Sequence, residues 1–504
     1  MTSTPLRTDP AIGCRPASEW RQILAVAAAL IGFSLNFWAW VLLVPLEPDF
    51  QARFGLGATG QALLLAVPLV VGSVARLPVG VLSDRYGPRV MLPAVTLATA
   101  AAVAALADED SLAVLIAAGV LLGVAGTASA AGAPLIGRWY QRRRRGLAFG
   151  LFGASLAGAA VSGVTSQLLY DAVGRRTCLL TLAGLLAGYA VLAAFLIGGT
   201  PVVRAQASLA RATLDVLRTP ETRRIAILYS VAFGGLAALA LYLPAYLNQE
   251  YHLSWQAALV RTGAVIALAA VAHIVGGWFA DRTNPARTLV ICYAGAACCA
   301  LVQAFQAGLD PVGILAIAGV GVFLGAASGT LTGLVANVTP PQQIGTAMGA
   351  VGVAGGLGGV LPPLLLGSVY DLQGSYAIGL TVLAGAGLAA AVYARDRRPL
   401  DRAPQAGPPV PLTRRIDALS AVVAVSAIPT GGDGPGDVLS ALAVVAINYR
   451  LVIVYGWRTA PTATCHRTGS STGFARSCPG TSSSRWCTAR TARTTSSTTS
   501  PPTC

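Results

Sequence analysis

The sequence contains no lysine, and all 35 of its basic residues are arginine. We attribute this bias to high-GC codon usage and give it little functional weight. Charge of either sign is scarce, because only 11% of the 504 residues are charged whereas 55% are hydrophobic. Soluble domains carry about 25% charged residues. The composition therefore excludes a soluble protein and predicts an integral membrane protein.

Three other signals are missing from the sequence. The nine cysteines include no Cys-x-x-Cys pair, and the adjacent Cys298 and Cys299 would point in different directions on a helix, so no metal site is predicted. The first apolar run is too long for a cleavable signal peptide and is expected to act as an uncleaved anchor. No nucleotide-binding cassette is recognisable. This leaves ion gradients or exchange as the energy source, and we expect neither enzymatic activity nor a cofactor.

Twelve apolar runs of about 20 residues fill the chain up to residue 395, and each is long enough to cross a ~30 Å hydrocarbon core as a helix. We place these predicted spans at 22–46, 59–82, 90–107, 112–137, 146–170, 177–198, 225–248, 257–280, 288–307, 311–337, 345–369 and 375–394. They form an N-terminal six-helix bundle, 22–198, and a C-terminal six-helix bundle, 225–398. An N-terminal segment, 1–21, a linker, 199–224, and a tail, 399–504, complete the predicted domains.

The net charge of +15 follows the sides of the membrane and does not gather in a patch for nucleic acid. Arginines cluster in the loops after the second, fourth and eighth predicted spans, in the linker and after the last span. The opposite loops are mainly acidic. By the positive-inside rule the arginine-rich loops and both termini are cytoplasmic, in a multi-pass protein of the plasma membrane. No nucleic-acid partner is predicted, and the linker is expected to lie on the membrane surface.

The two halves of the chain repeat each other. VARLPVGVLSDRYGP (74–88) matches VAHIVGGWFADRTNP (271–285) at six positions with a constant offset of 197. GLAFGLFG (146–153) matches GTAMGAVG (345–352) in the pattern G-x-A-x-G-x-x-G. Six spans separate the copies, so the second half keeps the orientation of the first. This pseudosymmetry suits two bundles that rock about a central site, which is the geometry of alternating access.

The segment GVLSDRYGPRV (80–90) and its weaker copy resemble the signature loop of the major facilitator superfamily. LNFWAWVLLVPL (35–46), the ARLPVG around Arg76 and the glycine-rich GAVGVAGGLGGVLPP (349–363) resemble the nitrate/nitrite porter family within it. The resemblance covers residues 20–398. It implies an all-α membrane protein of twelve transmembrane helices in two pseudosymmetric six-helix bundles, which moves nitrate or nitrite.

Arg76 lies eight residues before Asp84, or ~12 Å along a helix, so its guanidinium is near the middle of the bilayer. An arginine there costs ~2.5 to 3.5 kcal/mol and needs a hydrated cavity or a partner. No Asp or Glu falls mid-span in the predicted helices, so a buried ion pair has few candidates. A guanidinium can donate two parallel hydrogen bonds to a planar oxyanion. We therefore predict that Arg76 binds a small anion, with a purely structural arginine as the alternative.

The position symmetric to Arg76 holds His273, where the resemblance implies a second arginine. A histidine titrates near neutrality, so it could couple the anion to a proton, or it could be a packed residue without a substrate role. Tyr229 and Phe233 are one helical turn apart and resemble residues that wall the family's binding cavity, with a lipid-facing or packing role as the alternative. Asn36, on the first span, is predicted as a further substrate contact.

Two more sets of residues are assigned by the resemblance. Glycines of the fifth and eleventh spans are implied to approach the substrate and to flex, although tight helix packing alone would also explain them; they are Gly150, Gly153, Gly349, Gly352, Gly355 and Gly356. The signature loop is implied to form charge contacts and helix caps between the halves, which hold the cytoplasmic side of an outward-facing state closed. Topogenic charge is the alternative for these residues, which are Gly80, Asp84, Arg85, Asp281 and Arg282.

The tail, 399–504, is rich in Ser, Thr, Pro and Arg towards its end and is predicted to be disordered or to result from out-of-frame translation. Its segment RLVIVYG (450–456) is not followed by G-x-G-x-x-G, so no activity is assigned to it.

Together these features predict a secondary active transporter of a small oxyanion, nitrate or nitrite, that works by alternating access. Nitrate/nitrite exchange and proton-coupled uptake are both compatible with the sequence. The alternatives are a major facilitator transporter of another small organic anion or a drug, and a transporter-like anion sensor. The expected partners are the anion, protons and the lipid bilayer, and the protein is expected to be a monomer.

Overall fold

Seventeen α-helices make up the described part of the computed structural model, which covers residues 19–56, 58–108, 111–140, 142–197, 209–305, 308–373 and 375–395. In chain order they are α1 (Glu19–Trp40), α2 (Glu47–Phe54), α3 (Ala58–Tyr86), α4 (Pro88–Ala105), α5 (Leu112–Leu122), α6 (Ala128–Trp139), α7 (Arg145–Gly153), α8 (Ala157–Val173), α9 (Arg175–Leu196), α10 (Leu209–Arg218), α11 (Pro220–Tyr251), α12 (Trp255–Arg282), α13 (Pro285–Ala304), α14 (Ile314–Val338), α15 (Ile344–Gly358), α16 (Leu361–Gln373) and α17 (Ala377–Ala394). The predicted tail, 399–504, lies outside the described residues, as do residues 1–18 of the predicted N-terminal segment.

Twelve stretches within these described ranges are long and apolar enough to cross a membrane, so the predicted number of spans is confirmed. The fourth, fifth and eleventh spans are each built from two helices, which are α5 with α6, α7 with α8, and α15 with α16. Short 3₁₀ segments, Gly123–Thr127 and Ala154–Leu156, join the helices of the fourth and fifth spans. In a bilayer, irregular backbone is tolerated where it is buried in protein or lines a cavity. We therefore expect these interruptions to be buried in the centre of the molecule or to line a cavity there.

Two helix boundaries differ from the predicted spans by five or six residues. The helix of the first span ends at Trp40 and not near residue 46, because the amides of Leu42, Val44 and Glu47 donate to carbonyls only three residues earlier. The seventh span begins at Pro220, inside the predicted linker, since proline is well suited to the first turn of a helix. Helix α10 occupies part of the same linker, and residues 199–208 lie outside the described residues.

The two halves of the molecule meet at two equivalent helix crossings, which we call the seam. Helix α3 of the N-terminal half packs along α15 of the C-terminal half, and α12 of the C-terminal half packs along α7 and α8. Glycines allow the backbones to touch. A Cβ atom added to Gly80 would lie 2.1 Å from the carbonyl oxygen of Gly345, and one added to Gly277 would lie 2.4 Å from that of Gly146. The sequence repeat is thus reproduced as a repeated contact between the halves.

Candidate functional site

Arg76 lies in the seam, and its side chain bonds to both halves of the molecule. The residue is only 1% exposed. Its Nε donates to the carbonyl oxygen of Gly126, in the 3₁₀ segment of the fourth span, at 2.9 Å. Its Nη1 donates to the carbonyl oxygen of Gly352, on α15, also at 2.9 Å. The guanidinium is therefore held by backbone dipoles from both bundles.

Aromatic rings of α1 and α11 cover the Arg76 guanidinium. Its Cζ lies 5.2 Å from the ring centroid of Trp40 and 4.8 Å from that of Phe233. Tyr229 stacks on Phe233 with 5.3 Å between centroids and 10° between ring planes. Cations are attracted to the faces of aromatic rings, most strongly where water is excluded. The rings stabilise the charge without neutralising it.

One nitrogen of this guanidinium has no hydrogen-bond partner. Nη2 of Arg76 is buried and meets no acceptor among the described residues. Among the described residues, the two acceptors of Arg76 are neutral carbonyl oxygens. The positive charge of Arg76 is therefore not paired with a carboxylate. Leaving a buried donor unpaired costs about 1 to 3 kcal/mol, and more for a charged group. An oxygen of an anion would remove this cost.

The glycines of α15 form the floor under the Arg76 side chain. A Cβ added to Gly352 would lie 2.8 Å from Cδ of Arg76, and one added to Gly349 would lie 2.5 Å from its carbonyl oxygen. Gly356 and Gly355 continue the same surface, where an added Cβ would be 1.8 Å from Oγ of Ser73 and 2.5 Å from Cδ1 of Tyr229. Larger residues at these positions would displace the arginine or the aromatic wall. Ser73 has no signal in the sequence that would have selected it.

His273 occupies the other crossing of the seam. It is 1% exposed, and its Nδ1 lies 3.1 Å from the carbonyl oxygen of Gly150 on α7. A carbonyl only accepts, so Nδ1 must carry the hydrogen and donate it. A Cβ added to Gly153 would lie 2.1 Å from Cε1 of His273. The structure therefore places His273 as the symmetric counterpart of Arg76 against α7, without a hydrogen bond between the two side chains.

Asn36 is not part of this cluster. Its Nδ2 donates to the carbonyl oxygen of Gly32 at 2.7 Å and to Oγ1 of Thr96 at 2.8 Å, and its Oδ1 accepts from Oγ1 of Thr99 at 2.8 Å. These bonds tie α1 to α4 inside the N-terminal half. The amide is satisfied by its own bundle, so we leave Asn36 out of the candidate site.

Two carboxylates close one end of the seam, which we call the latch end. Asp84, at the end of α3, accepts hydrogen bonds from the amides of Gly345 and Thr346 at 2.9 and 2.7 Å and from Oγ1 of Thr346 at 2.8 Å. Asp281, at the end of α12, accepts from the amides of Gly146 and Leu147 at 2.9 and 2.8 Å. Each carboxylate thereby binds the first turn of a helix in the opposite half, where unpaired amides and the helix dipole favour negative charge.

The arginines that cross the latch end are not the predicted ones. Arg85 and Arg282 are exposed and lie over the rings of Tyr86 and Trp278 beside them. Instead, Arg142 donates to the carbonyl oxygen of Asn337 on α14 at 3.0 Å, and Arg145 donates to that of Ala336 at 3.4 Å. The predicted interdomain charge contacts of Arg85 and Arg282 are not seen among the described residues, where each guanidinium lies over a ring of its own helix.

Replacing Asp84 with asparagine is expected to loosen the latch end without unfolding the protein. An amide keeps one acceptor but loses the charge and the second acceptor oxygen, and hydrogen bonds to charged groups contribute about 1.5 to 3 kcal/mol each. Hydrogen exchange at the amides of Gly345 and Thr346 should become at least about tenfold faster, as that energy implies. The exposed Asp215 on α10 supplies the control Asp215→Asn. Unchanged exchange in Asp84→Asn would show that these bonds do not hold the end closed.

The opposite end of the seam, the far end, is joined by an aromatic side chain. Nε1 of Trp255, the first residue of α12, donates to the carbonyl oxygen of Pro45 in the other half at 3.4 Å.

Near this contact Glu47 begins α2 and is only 7% exposed, and its Oε2 has no partner among the described residues. Burial raises the pKa of Glu47 from 4.5 to about 7. Asp49 and Arg53 are the other charged residues of this short helix.

This shifted pKa predicts a stability that falls as pH rises. The folded state binds the proton of Glu47 more tightly than the unfolded state, so the stabilisation is complete below pH 4.5 and is lost as pH approaches about 7. The loss amounts to about 3 kcal/mol, at about 1.4 kcal/mol for each pKa unit. Glu47→Gln should therefore have a higher thermal midpoint than the wild type at pH 8 and an equal one at pH 4.5. The change Glu250→Gln, at a partly exposed glutamate, should not show this dependence, and equal midpoints at pH 8 would contradict the expectation.

Comparison with known proteins places this geometry in context. Residues 29–363 match the family model of the Major Facilitator Superfamily. The chain is 36% identical over 364 residues to "Probable nitrate/nitrite transporter NarK2" of Mycobacterium tuberculosis (strain ATCC 25618 / H37Rv), covering 71% of this chain and 92% of that one. It is 30% identical over 374 residues to "Nitrite extrusion protein" of Bacillus subtilis (strain 168), covering 74% of this chain and 93% of that one.

Solved structures agree at the level of the fold. The human organic anion transporter MFSD10 superposes with a TM-score of 0.64 at 17% identity, and the match covers 75% of this chain and 100% of that one. The fucose:proton symporter FucP of E. coli superposes with a TM-score of 0.57 at 19% identity, covering 74% and 98%. At such low identities these likenesses concern the arrangement of helices alone.

Proposed function

Because the chain belongs to the nitrate/nitrite porter family of the Major Facilitator Superfamily, we propose that it moves nitrate and nitrite across the membrane by alternating access, with Arg76 as the main anion ligand. One observation carries the assignment of the ligand. A fully buried arginine lies between two bundles that must move apart, and one of its nitrogens lacks an acceptor. A planar anion with two or three oxygens suits that donor.

The aromatic wall favours the same class of substrate. Nitrate and nitrite are flat, singly charged ions, and Trp40, Phe233 and Tyr229 present flat faces beside the guanidinium. His273 supplies a second polar group at the symmetric crossing. In our proposal its Nε2 meets the anion when α7 and α12 shift, whereas Nδ1 stays with Gly150. The single permanent charge of Arg76 then balances the single charge of the substrate.

Alternating access assigns directions to the two ends of the seam. The latch end bears Arg142 and Arg145, and the positive-inside rule makes such an end cytoplasmic. We therefore propose that the latch end faces the cytoplasm of a cell bounded by this plasma membrane, with both termini on that side. With the latch closed, substrate would enter from outside. Exchange of nitrate for nitrite, or uptake with protons, would drive the cycle in a monomer.

Uptake into proteoliposomes tests the proposal. Purified full-length protein should take up nitrate, and external nitrite should compete for that uptake whereas acetate and formate should not. Preloading the vesicles with nitrite should accelerate uptake if the cycle is an exchange, and an inward proton gradient should do so if protons are coupled. The proposal fails if nitrate and nitrite neither move nor compete while a carboxylate is transported.

A further inference from the structure

A small cavity in the seam lies between the Arg76 cluster and the far end. Its free volume is about 10 Å³, close to the room that one water molecule needs, and both halves line it. The N-terminal half contributes the turn after α1, including Val41 and Pro45, together with α8. The C-terminal half contributes α11 and α12, including Thr262 and Ile266. We refer to this space as the outer cavity.

The position of the outer cavity follows from the order of residues along the helices. On α12, Trp255 joins the halves at the far end, Thr262 and Ile266 line the cavity, and His273 lies seven residues beyond Ile266. Seven residues of helix span ~10 Å. Val41 likewise follows Trp40, which covers Arg76. The outer cavity therefore lies between the far end and the level of Arg76, on the route that we propose for an anion.

The walls of the outer cavity are unusual for the path of an ion. None of the lining residues is charged, and Thr262 is the one lining side chain with a polar atom. Its Oγ1 is buried and has no hydrogen-bond partner in the described part of the chain. Other buried threonines in the spans behave differently, since Thr96 and Thr99 each donate to the carbonyl one helical turn earlier. The hydroxyl of Thr262 is thus left available to a ligand in the cavity.

A buried arginine lies on the same helix as this hydroxyl. Arg261 precedes Thr262 on α12, is 7% exposed and is not among the lining residues. Its charge favours anions over cations in the cavity. The attraction grows in proportion to the charge of the anion, whereas the Born cost of dehydration grows with its square and is roughly fourfold larger for a doubly charged ion. Apolar walls cannot replace lost water, so dehydration decides against divalent anions.

We infer that the outer cavity is a transit site for singly charged oxyanions, in which the Thr262 hydroxyl donates a hydrogen bond to the passing anion and the apolar lining excludes divalent oxyanions. The inference rests on the proposed function and adds a second site to it. Selection by charge then occurs before the substrate reaches Arg76. The final binding site and the filter are separate parts of the seam.

Kinetics of the full-length protein separate these two sites. Thr262→Val removes the hydroxyl with little change of volume and should slow initial nitrate uptake about tenfold, the effect of one hydrogen bond to an ion. Equilibrium binding of nitrate to the detergent-solubilised protein should stay within about twofold, because Arg76 is untouched. Thr332→Val is the matched control, since Thr332 is buried and its hydroxyl donates within its own helix to Gly329 at 3.0 Å. The Thr332→Val control should keep both the wild-type rate of nitrate uptake and the wild-type affinity for nitrate.

A second variant tests the filter. Leu259→Asn adds an amide to the lining and should make nitrate uptake sensitive to sulfate, whereas sulfate at 100-fold excess should not inhibit the wild type. The inference would be overturned if Thr262→Val took up nitrate at the wild-type rate. It would also be overturned if a folded Leu259→Asn remained as insensitive to sulfate as the wild type. Either result would leave the proposed function intact. A wild-type protein that moves no nitrate would overturn both.

Discussion

Arg76→Lys is expected to reduce nitrate transport and nitrate affinity about 100-fold while the protein remains folded. Lysine keeps the positive charge but cannot donate simultaneously to the carbonyls of Gly126 and Gly352 and to an anion in one plane. Losing one charge-assisted bond and the fixed geometry costs about 2 to 3 kcal/mol, and each 1.4 kcal/mol is a factor of ten. Transport in proteoliposomes and nitrate binding in detergent measure the two effects.

The same substitution elsewhere on α3 provides the control for Arg76→Lys. Arg85 is exposed at the end of that helix, and its guanidinium lies over the ring of Tyr86 beside it. Arg85→Lys should therefore keep nitrate affinity within about twofold. If Arg76→Lys binds nitrate as tightly as the wild type, the guanidinium is a structural group and the anion binds elsewhere.

Gly80→Ala is expected to lower transport more than tenfold by forcing the halves apart. Its Cβ would lie 2.1 Å from the carbonyl oxygen and 2.8 Å from the carbonyl carbon of Gly345, and backbone atoms cannot turn away as a side chain can. Helices α3 and α15 would have to separate, which weakens the bonds of Asp84 one turn later. Overpacking of this kind costs about 2 kcal/mol. Transport rates and hydrogen exchange at Gly345 and Thr346 measure the outcome.

Glycines in open positions give the matched comparison. Nothing lies within 4 Å of a Cβ added to Gly184 on α9 or to Gly385 on α17. Alanine favours a helix over glycine by about 0.5 to 1 kcal/mol, so both variants should be slightly more stable than the wild type and fully active. Transport by Gly80→Ala at the rate of Gly184→Ala would mean that the seam does not need this close approach.

The seam shows how a repeated sequence becomes an asymmetric site. Asp84 and Asp281 make equivalent bonds to helix ends in the opposite half, and Gly80 and Gly277 make equivalent backbone contacts. At the middle of the seam the equivalence ends, since one crossing holds an arginine with an unpaired nitrogen and the other a histidine bonded to a carbonyl. The latch is a property of the fold, whereas the difference at the centre belongs to the chemistry of this chain.

The sequence by itself determined the number of spans, the two repeated halves and the position of Arg76 within a span. These are local properties, because the length of an apolar run and the place of an arginine within it can be read from a single segment. The family resemblance also selected residues that line the seam, such as Gly352 and Phe233, although it could not say which atoms they contact.

Only the tertiary structure decided which groups satisfy each polar side chain. The amide of Asn36 is used by α4, the arginines that cross the latch end are Arg142 and Arg145, and Arg76 is held by carbonyls 50 and 276 residues away in the chain. The orphaned hydroxyl of Thr262 is equally invisible in the sequence. Such pairings depend on how each helix is rotated about its axis and on distant segments that meet across the seam, and no pattern within one helix contains that information.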